Sequence, residues 1–203
     1  MPNNKKAKPN IIIAGGGGHA VMVANIVSDC YEIIGVTDVN PNNRLSKLGI
    51  PYLGDDSQIW ATTNSQPPWS PLKYAVLGFA GFDNKKREEV FEHYQDMGFV
   101  FPSIISPQAI INSSENNILG GTVIFPGAII GTGVTIKQNV VINSGAIIEH
   151  DSEIGNHVQV SPGAVICGGV KIGDRAFIGA NATITQGAVV GEDYFVKAGT
   201  VYV

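Results

Sequence analysis

The 203-residue sequence predicts an α/β domain followed by a parallel β-solenoid. Three observations carry that expectation. Strand-like apolar runs alternate with helical patterns in the first half, a glycine-rich loop joins the first such strand to the first helix, and an aliphatic or aromatic residue recurs at every sixth position in the second half.

In chain order, the apolar run Ile11 to Ala14 reads as a strand, Gly15 to Gly18 as a loop, and His19 to Val27 as a helix. A second strand, Ile33 to Thr37, ends at Asp38; Tyr74 to Leu77 reads as a third, and Asn84 to Met97 as an amphipathic helix. Such alternation predicts a small parallel sheet covered by helices. The proline-containing, polar segment Thr62 to Pro71 reads as a surface loop, and residues 1–9 as a mobile tail.

From Ile124 the period becomes six: Ile124, Ile130, Ile136, Ile142, Ile148, Ile154, Val160, Ile166, Ile172, Ile178, Ile184, Val190, Val196 and Tyr202. No helix or ordinary strand has that period. A small or β-branched residue follows four positions later, as at Ala128, Val134, Val140, Ala146, Ala164 and Val170. Each hexad then supplies one flat face and one corner, with turn residues such as Pro126-Gly127, Asn143-Ser144-Gly145 and Pro162-Gly163 rounding the corner. Three hexads make a coil, so residues 18 apart stack, and each coil buries its apolar edge only against its neighbours. The repeat runs to Val203, which predicts that the last coil is either cut short or covered by a partner. The expected boundaries are 1–105 for the α/β domain and 106–203 for the solenoid.

Charge and cysteine content narrow the function. A net charge of -4 provides no broad attraction for nucleic acid or an anionic membrane, and beyond Lys5, Lys6 and Lys8 the lysines are scattered. Two cysteines, Cys30 and Cys167, make neither a disulfide framework nor a zinc motif, and the N-terminus lacks the apolar stretch of a signal peptide or membrane span. These features fit a cytoplasmic protein.

Chemistry is concentrated at two places. Glu149-His150-Asp151 puts three ionisable residues in succession at a corner of the coil, and an imidazole beside a carboxylate is equipped to act as a general base. A solvated turn is the alternative reading. The positions one coil before and after His150 are Thr132 and Gly168, and those beside Asp151 are Gly133 and Gly169. Glycine there is expected to clear a channel for an acyl donor and to expose the N–H groups of Gly168 and Gly169. The second place is Gly15-Gly16-Gly17-Gly18-His19-Ala20 with Asp38 some twenty residues on, a pattern suited to a phosphate at a helix N-terminus and to a ribose or base. A tight strand-to-helix turn would give the same spacing.

Several segments together resemble the bacterial nucleotide-sugar N-acetyltransferases and sialic-acid O-acetyltransferases. They are Ile11 to Ala20 with its Gly-x-Gly-Gly-His-Ala loop, Gly35-Val36-Thr37-Asp38, Gly54-Asp55, Gly98-Phe99 to Pro107, and Asn143 to Ala164. The resemblance implies a Rossmann-like domain that binds a nucleotide sugar, a left-handed β-helix that carries acetyl-coenzyme A, and a homotrimer with active sites between subunits. It implies acetyl transfer to the amino group of a nucleotide-linked 4-amino-4,6-dideoxy sugar in bacterial surface-glycan biosynthesis, such as that of lipopolysaccharide. His150 would be the base and Asp151 its support. Gly15, Gly17, Gly18, His19 and Asp38 would hold the nucleotide, Asn143 would lie near the sugar amine, and Gln159, Gly168, Ala180, Lys197 and Ala198 would meet acetyl-coenzyme A.

The sequence departs from that pattern in four places. Gln159 replaces a common histidine near the acetyl group, Val21 replaces a common lysine, Ser106-Pro107 replaces His-Pro, and a closing Gly-x-Pro-Ala segment is absent. Alternative readings are O-acetylation of sialic acid or another sugar hydroxyl and a non-catalytic nucleotide-sugar-binding trimer. A zinc enzyme on the same fold would need three histidine ligands, and the repeat holds only His150 and His157, so no metal is expected. Exposed apolar corners at Ile129, Val141 and Ile147 are expected to support trimer formation.

Overall fold

The structure is a computed structural model that describes residues 7–55, 73–112 and 117–203. The expected loop at Thr62 to Pro71, the basic residues Lys5 and Lys6 and most of the expected tail lie outside the described residues. The chain divides into two compact units: the described residues up to Phe79 together with Tyr94–Val100, and Ala80–His93 together with Phe101–Val203.

In the first unit, β1 (Asn10–Ala14), β2 (Glu32–Thr37) and β3 (Tyr74–Leu77) form a parallel sheet in the order β2-β1-β3. Single bridges from Val36 to Tyr52 and from Tyr74 to Val100 extend it on both sides. The central strand carries Ile11, Ile12 and Ile13, all fully buried, which is why its sequence is a continuous apolar run rather than an alternating one. Helix α1 (Gly18–Cys30) turns Ala20, Val23, Ala24, Ile26 and Val27 inward at helical spacing. A four-residue helix, α2 (Arg44–Lys47), begins where the Asn43 side chain accepts a hydrogen bond from Ser46 N at 2.9 Å. The sequence reading had no helix here, because four residues are too few to show a period.

In the second unit, two-residue strands wind into triangular coils with three parallel faces. The first face runs from Ile104–Ile105 through Val123–Ile124, Val141–Ile142, Gln159–Val160 and Phe177–Ile178 to Phe195–Val196. The second runs from Ile110–Ile111 through Ile129–Ile130, Ile147–Ile148, Val165–Ile166 and Thr183–Ile184 to Val201–Tyr202. The third carries Asn117–Ile118, Thr135–Ile136, Glu153–Ile154, Lys171–Ile172 and Val189–Val190. Every sixth-position residue from Ile124 onward is the second residue of its strand, and all of them except the half-buried Tyr202 are essentially inaccessible. Burying an aliphatic side chain of this kind stabilises by roughly 1.5–3 kcal/mol, so the column of isoleucines and valines is the core.

The coils begin earlier than the hexad count reveals. Ile105 pairs with Ile124, nineteen positions on rather than eighteen, and that extra residue hides the first coil from the period. Helix α3 (Asn84–Asp96) starts in the same unit, and residues 81–91 pack on the first face and its adjoining corner. Phe82 meets Phe177 at 4.9 Å and Phe195 at 5.6 Å between ring centroids, and Asn84 Nδ2 donates to Arg175 O at 2.9 Å. Val141 therefore lies fully buried on the covered face, which corrects the expectation that it is exposed. Ile129 and Ile147 lie half-buried on the second face, on its flat rather than at corners. Among the described residues no helix is long and apolar enough to cross a membrane.

Candidate active site

His150 and Asp151 form the corner between Ile147–Ile148 and Glu153–Ile154. This corner requires a left-handed residue. Gly133 and Gly169 supply it one coil away on either side with φ of 71° and 67°, and Asp151 supplies it with φ of 58°, a conformation that aspartate tolerates better than most side chains. The backbone thus presents the carboxylate outward, with Oδ2 2.9 Å from His150 Nδ1. Both side chains are exposed, at 58% and 74%. With Nδ1–H donating to the carboxylate, Nε2 keeps its lone pair for a proton.

The glycines above and below have a direct steric role. A Cβ on Gly168 would lie 2.5 Å from His150 Nε2, and one on Gly133 would lie 2.7 Å from Asp151 Oδ1. The imidazole leans over Gly168, so the missing side chain makes room for the ring itself rather than for an empty channel. The Gly169 N–H donates to His150 O at 2.8 Å, which corrects the expectation that it is open to a ligand. Among the described residues the Gly168 N–H has no hydrogen-bond partner.

The other expected contacts of this unit do not gather at that corner. Asn143 stands at the corner between the first and second faces, buried, with Nδ2 donating to Val160 O at 2.9 Å. Ala180, Lys197 and Ala198 lie at that same corner further along, where a Cβ on Gly179 would meet Ala198 N at 2.4 Å. Gly168 lies at the His150 corner. Gln159 faces outward from the first face but is only 8% exposed, and its Oε1 accepts a hydrogen bond from Gly81 N at 2.8 Å. Its amide holds residue 81 in place, an arrangement invisible without the long-range packing of that segment.

The glycine loop of the first unit is tied down by Asp38. Gly15 has φ of 94° and donates to Thr37 O at 2.7 Å, a strand-to-helix turn that a side chain would strain. Asp38 Oδ2 accepts from Gly16 N at 2.6 Å and Oδ1 from Asn40 N at 2.8 Å, so the carboxylate braces the loop as well as facing any ligand. Gly17 and Gly18 are exposed at the N-terminus of α1, and His19 is half-buried in its first turn. No acidic residue occupies that turn. Arg44, which sequence reasoning did not single out, brings Nη1 to 3.2 Å from where a Cβ on Gly18 would stand. A cation against the positive end of a helix is unfavourable until an anion joins it.

His157, the second repeat histidine, has a structural setting. It is 6% exposed, its Nδ1 is 2.9 Å from Asn139 Nδ2, and its Nε2 is 3.5 Å from Glu88 Oε1. Burial pushes its pKa down, with Glu88 partly opposing and Arg87 adding to the fall. Burial also pushes the Arg87 guanidinium down to about 9. Among the described residues no group of three or more His, Cys, Asp or Glu is placed to hold a metal ion.

Comparison with known proteins agrees with this architecture. Residues 10–94 match the family described as the PglD N-terminal domain, and residues 151–186 match the bacterial transferase hexapeptide (six repeats). The structure of PerB from Caulobacter crescentus in complex with CoA and GDP-perosamine superposes with a TM-score of 0.85 at 29% identity, covering 97% of this chain and 90% of that one. The acetyltransferase domain of PglB from Neisseria gonorrhoeae in complex with acetyl coenzyme A gives 0.83 at 27% identity, covering 97% and 92%. WeeI from Acinetobacter baumannii gives 0.70 at 21% identity, covering 96% of each chain, a likeness of fold. No curated protein sequence matches significantly. The fold is thus an N-terminal α/β domain followed by a left-handed parallel β-helix.

Proposed function

We propose that this chain, which superposes on PerB and on the acetyltransferase domain of PglB over 97% of its length, transfers the acetyl group of acetyl-coenzyme A to the amino group of a nucleotide-linked 4-amino-4,6-dideoxy sugar. The observation that carries this reading is the exposed His150–Asp151 pair, with Nδ1 committed to the carboxylate and Nε2 directed at the Gly168 corner. A sugar ammonium cannot attack a thioester, so a base must take its proton; His150 Nε2 accepts it as the amine nitrogen bonds to the acetyl carbonyl carbon. The C–S bond then breaks, and the coenzyme leaves as thiolate to be protonated. No covalent enzyme intermediate is needed, because positioning and deprotonation suffice for this pair of reactants.

Within the first unit, Gly15, Gly17, Gly18, His19 and Asp38 are assigned to the nucleotide, with Arg44 as an added partner for its phosphates. PerB, which binds CoA and GDP-perosamine, supports this substrate class. Gly168 at the His150 corner and Ala180, Lys197 and Ala198 at the other corner are assigned to the coenzyme, and Asn143 to the sugar. For Gln159 the bond to Gly81 supports a bracing role beside the coenzyme rather than contact through its amide oxygen.

A homotrimer with active sites completed between subunits fits the second face. Five of its six outward residues, Ile110, Ile129, Ile147, Val165 and Val201, are apolar and wholly or partly exposed, with Thr183 the sixth, whereas the third face presents Asn117, Thr135, Glu153 and Lys171 beside Val189. The work of such an enzyme belongs in the cytoplasm, where acetyl-coenzyme A is made, and its product in bacterial surface glycan.

The test is thiol release from acetyl-coenzyme A against UDP-, GDP- and dTDP-linked 4-amino-4,6-dideoxy sugars and free sialic acid, with His150→Ala alongside. Turnover of one amino sugar that falls about 10²–10⁴-fold in the variant is the expected result. Turnover of sialic acid alone would make it an O-acetyltransferase, and binding of nucleotide sugar without turnover would make it a binding protein.

A further inference from the structure

One polar residue interrupts the apolar column beneath the His150 corner. The hexad position next to most corners is filled by an apolar residue, among them Val134, Val140, Ala146, Val158, Ala164 and Val170; at this corner Ser152 occupies it, fully buried, as Thr122 does at another. A hydroxyl moved from water into such surroundings is costly unless it is bonded. Ser152 Oγ donates to Cys167 O at 3.0 Å and accepts from Val170 N at 3.3 Å.

Those two backbone groups are the ends of the next coil's corner. At corners whose inner residue is alanine the corresponding groups meet directly: Ala146 N donates to Asn143 O at 3.1 Å, and Ala164 N to Ser161 O at 3.3 Å. Around residues 167–170 the serine hydroxyl stands between them. The residues it brackets are Gly168, which lies against the His150 ring, and Gly169, whose N–H holds His150 O. Ser152 also follows Asp151 directly in the chain. A single hydroxyl therefore links the strand leaving the His150–Asp151 pair to the corner that the imidazole faces.

We propose that Ser152 is a positioning residue, holding the 167–170 corner at the width that sets the Gly168 backbone against His150 Nε2. The inference rests on the acetyl-transfer reading above. Without the hydroxyl, Cys167 O and Val170 N lose the partner that they share, and the corner is free to close toward the direct contact of the alanine corners, drawing Gly168 away from its place under the ring. A displacement of about 1 Å at a reacting centre can cost on the order of 10²-fold in rate. Thr122 provides a built-in control: its Oγ donates to Lys137 O at 2.9 Å and accepts from Val140 N at 3.4 Å, the same insertion at a different corner.

The experiment compares full-length Ser152→Ala, Ser152→Thr and Thr122→Ala by melting temperature, by kcat and KM for acetyl-coenzyme A, and by the NMR resonances of the His150 imidazole. Alanine is already common at this hexad position, so Ser152→Ala is expected to keep the wild-type melting temperature within about 2 °C. Its kcat should fall about tenfold or more while the His150 resonances shift, and Ser152→Thr should restore at least half the rate. Thr122→Ala should change neither. A Ser152→Ala kcat within about twofold of wild type with unmoved His150 resonances would overturn the proposal, as would an equal loss in Thr122→Ala. If wild type acetylates no sugar, the acetyl-transfer reading fails. The His150 resonances then decide alone: a shift in Ser152→Ala but not in Thr122→Ala supports the positioning role, and no shift refutes it.

Discussion

The imidazole of His150 occupies the volume that a side chain at Gly168 would need: a Cβ there would lie 2.5 Å from Nε2 and 2.7 Å from Cε1. Gly168→Ala is therefore expected to push the ring aside. The ring is exposed and can move, so the fold should tolerate the methyl, with a melting temperature within about 2 °C of wild type. The base is displaced from its place, however, and kcat should fall about tenfold or more. Thermal melts alongside steady-state kinetics check both halves.

Asp151 combines a backbone demand with an electrostatic one. Its φ of 58° favours Gly, Asn and Asp, so Asp151→Asn keeps the corner while removing the charge that accepts from Nδ1–H. The expected outcome is an unchanged fold with kcat reduced about 10–10²-fold, since the amide no longer orients the ring or stabilises imidazolium as a carboxylate does. Retention of full kcat in Asp151→Asn would remove Asp151 from the mechanism.

Stability is expected to depend on pH through His157. Burial lowers its folded pKa beneath the ordinary 6.5, opposed in part by Glu88 and with Arg87, Asp174 and Arg175 also facing it. Below pH about 6.5 the unfolded chain takes up a proton that the folded chain resists, so stability is fully present above that pH and is lost as the pH falls toward the folded pKa. Melting temperatures measured from pH 7.5 down to 5.5 should decline, and His157→Asn, which tolerates the residue's φ of 59°, should flatten the decline.

The reach of the sequence follows from the range of the contacts involved. Ile124 to Tyr202 announced their own strands because each coil repeats one local pattern, whereas the coil at Ile104–Ile105 is offset by one residue and dropped out of the count. His150 and Asp151 could be read as a pair because they are neighbours in one turn. Gln159, His157 and Val141 could not be assigned, because their surroundings are set by residues 81–91, some 50 to 80 positions away in the chain. The sequence alone does not single out Ser152; only the coil stacking shows that its hydroxyl joins two corners.

In the α/β unit, Asp38 is expected to govern substrate affinity through the loop it braces. Asp38→Ala strips the acceptors from Gly16 N and Asn40 N, leaving two backbone donors without them. Each bond to a charged acceptor is worth about 1.5–3 kcal/mol. The nucleotide-sugar KM should rise about tenfold or more with kcat at saturation changed far less, because the loop makes its contacts before and during the reaction alike. A fall in kcat without a change in KM would argue that the loop acts in the chemical step instead.

Assembly offers the last prediction. Ile147 stands in the middle of the second face, flanked in register by Ile129 and Val165, all half-buried in the single chain. Ile147→Arg adds a charge to that column without touching the core, since the inward residue of the strand is Ile148. If this face joins copies of the chain, burying an unpaired guanidinium there is prohibitive. The variant should then sediment as a folded monomer while wild type sediments as a trimer. Activity should be lost together with assembly if the active sites are completed between subunits. A variant that sediments like wild type would mean that this face stays exposed to solvent, and a monomeric variant with full kcat would mean that each chain carries a complete site.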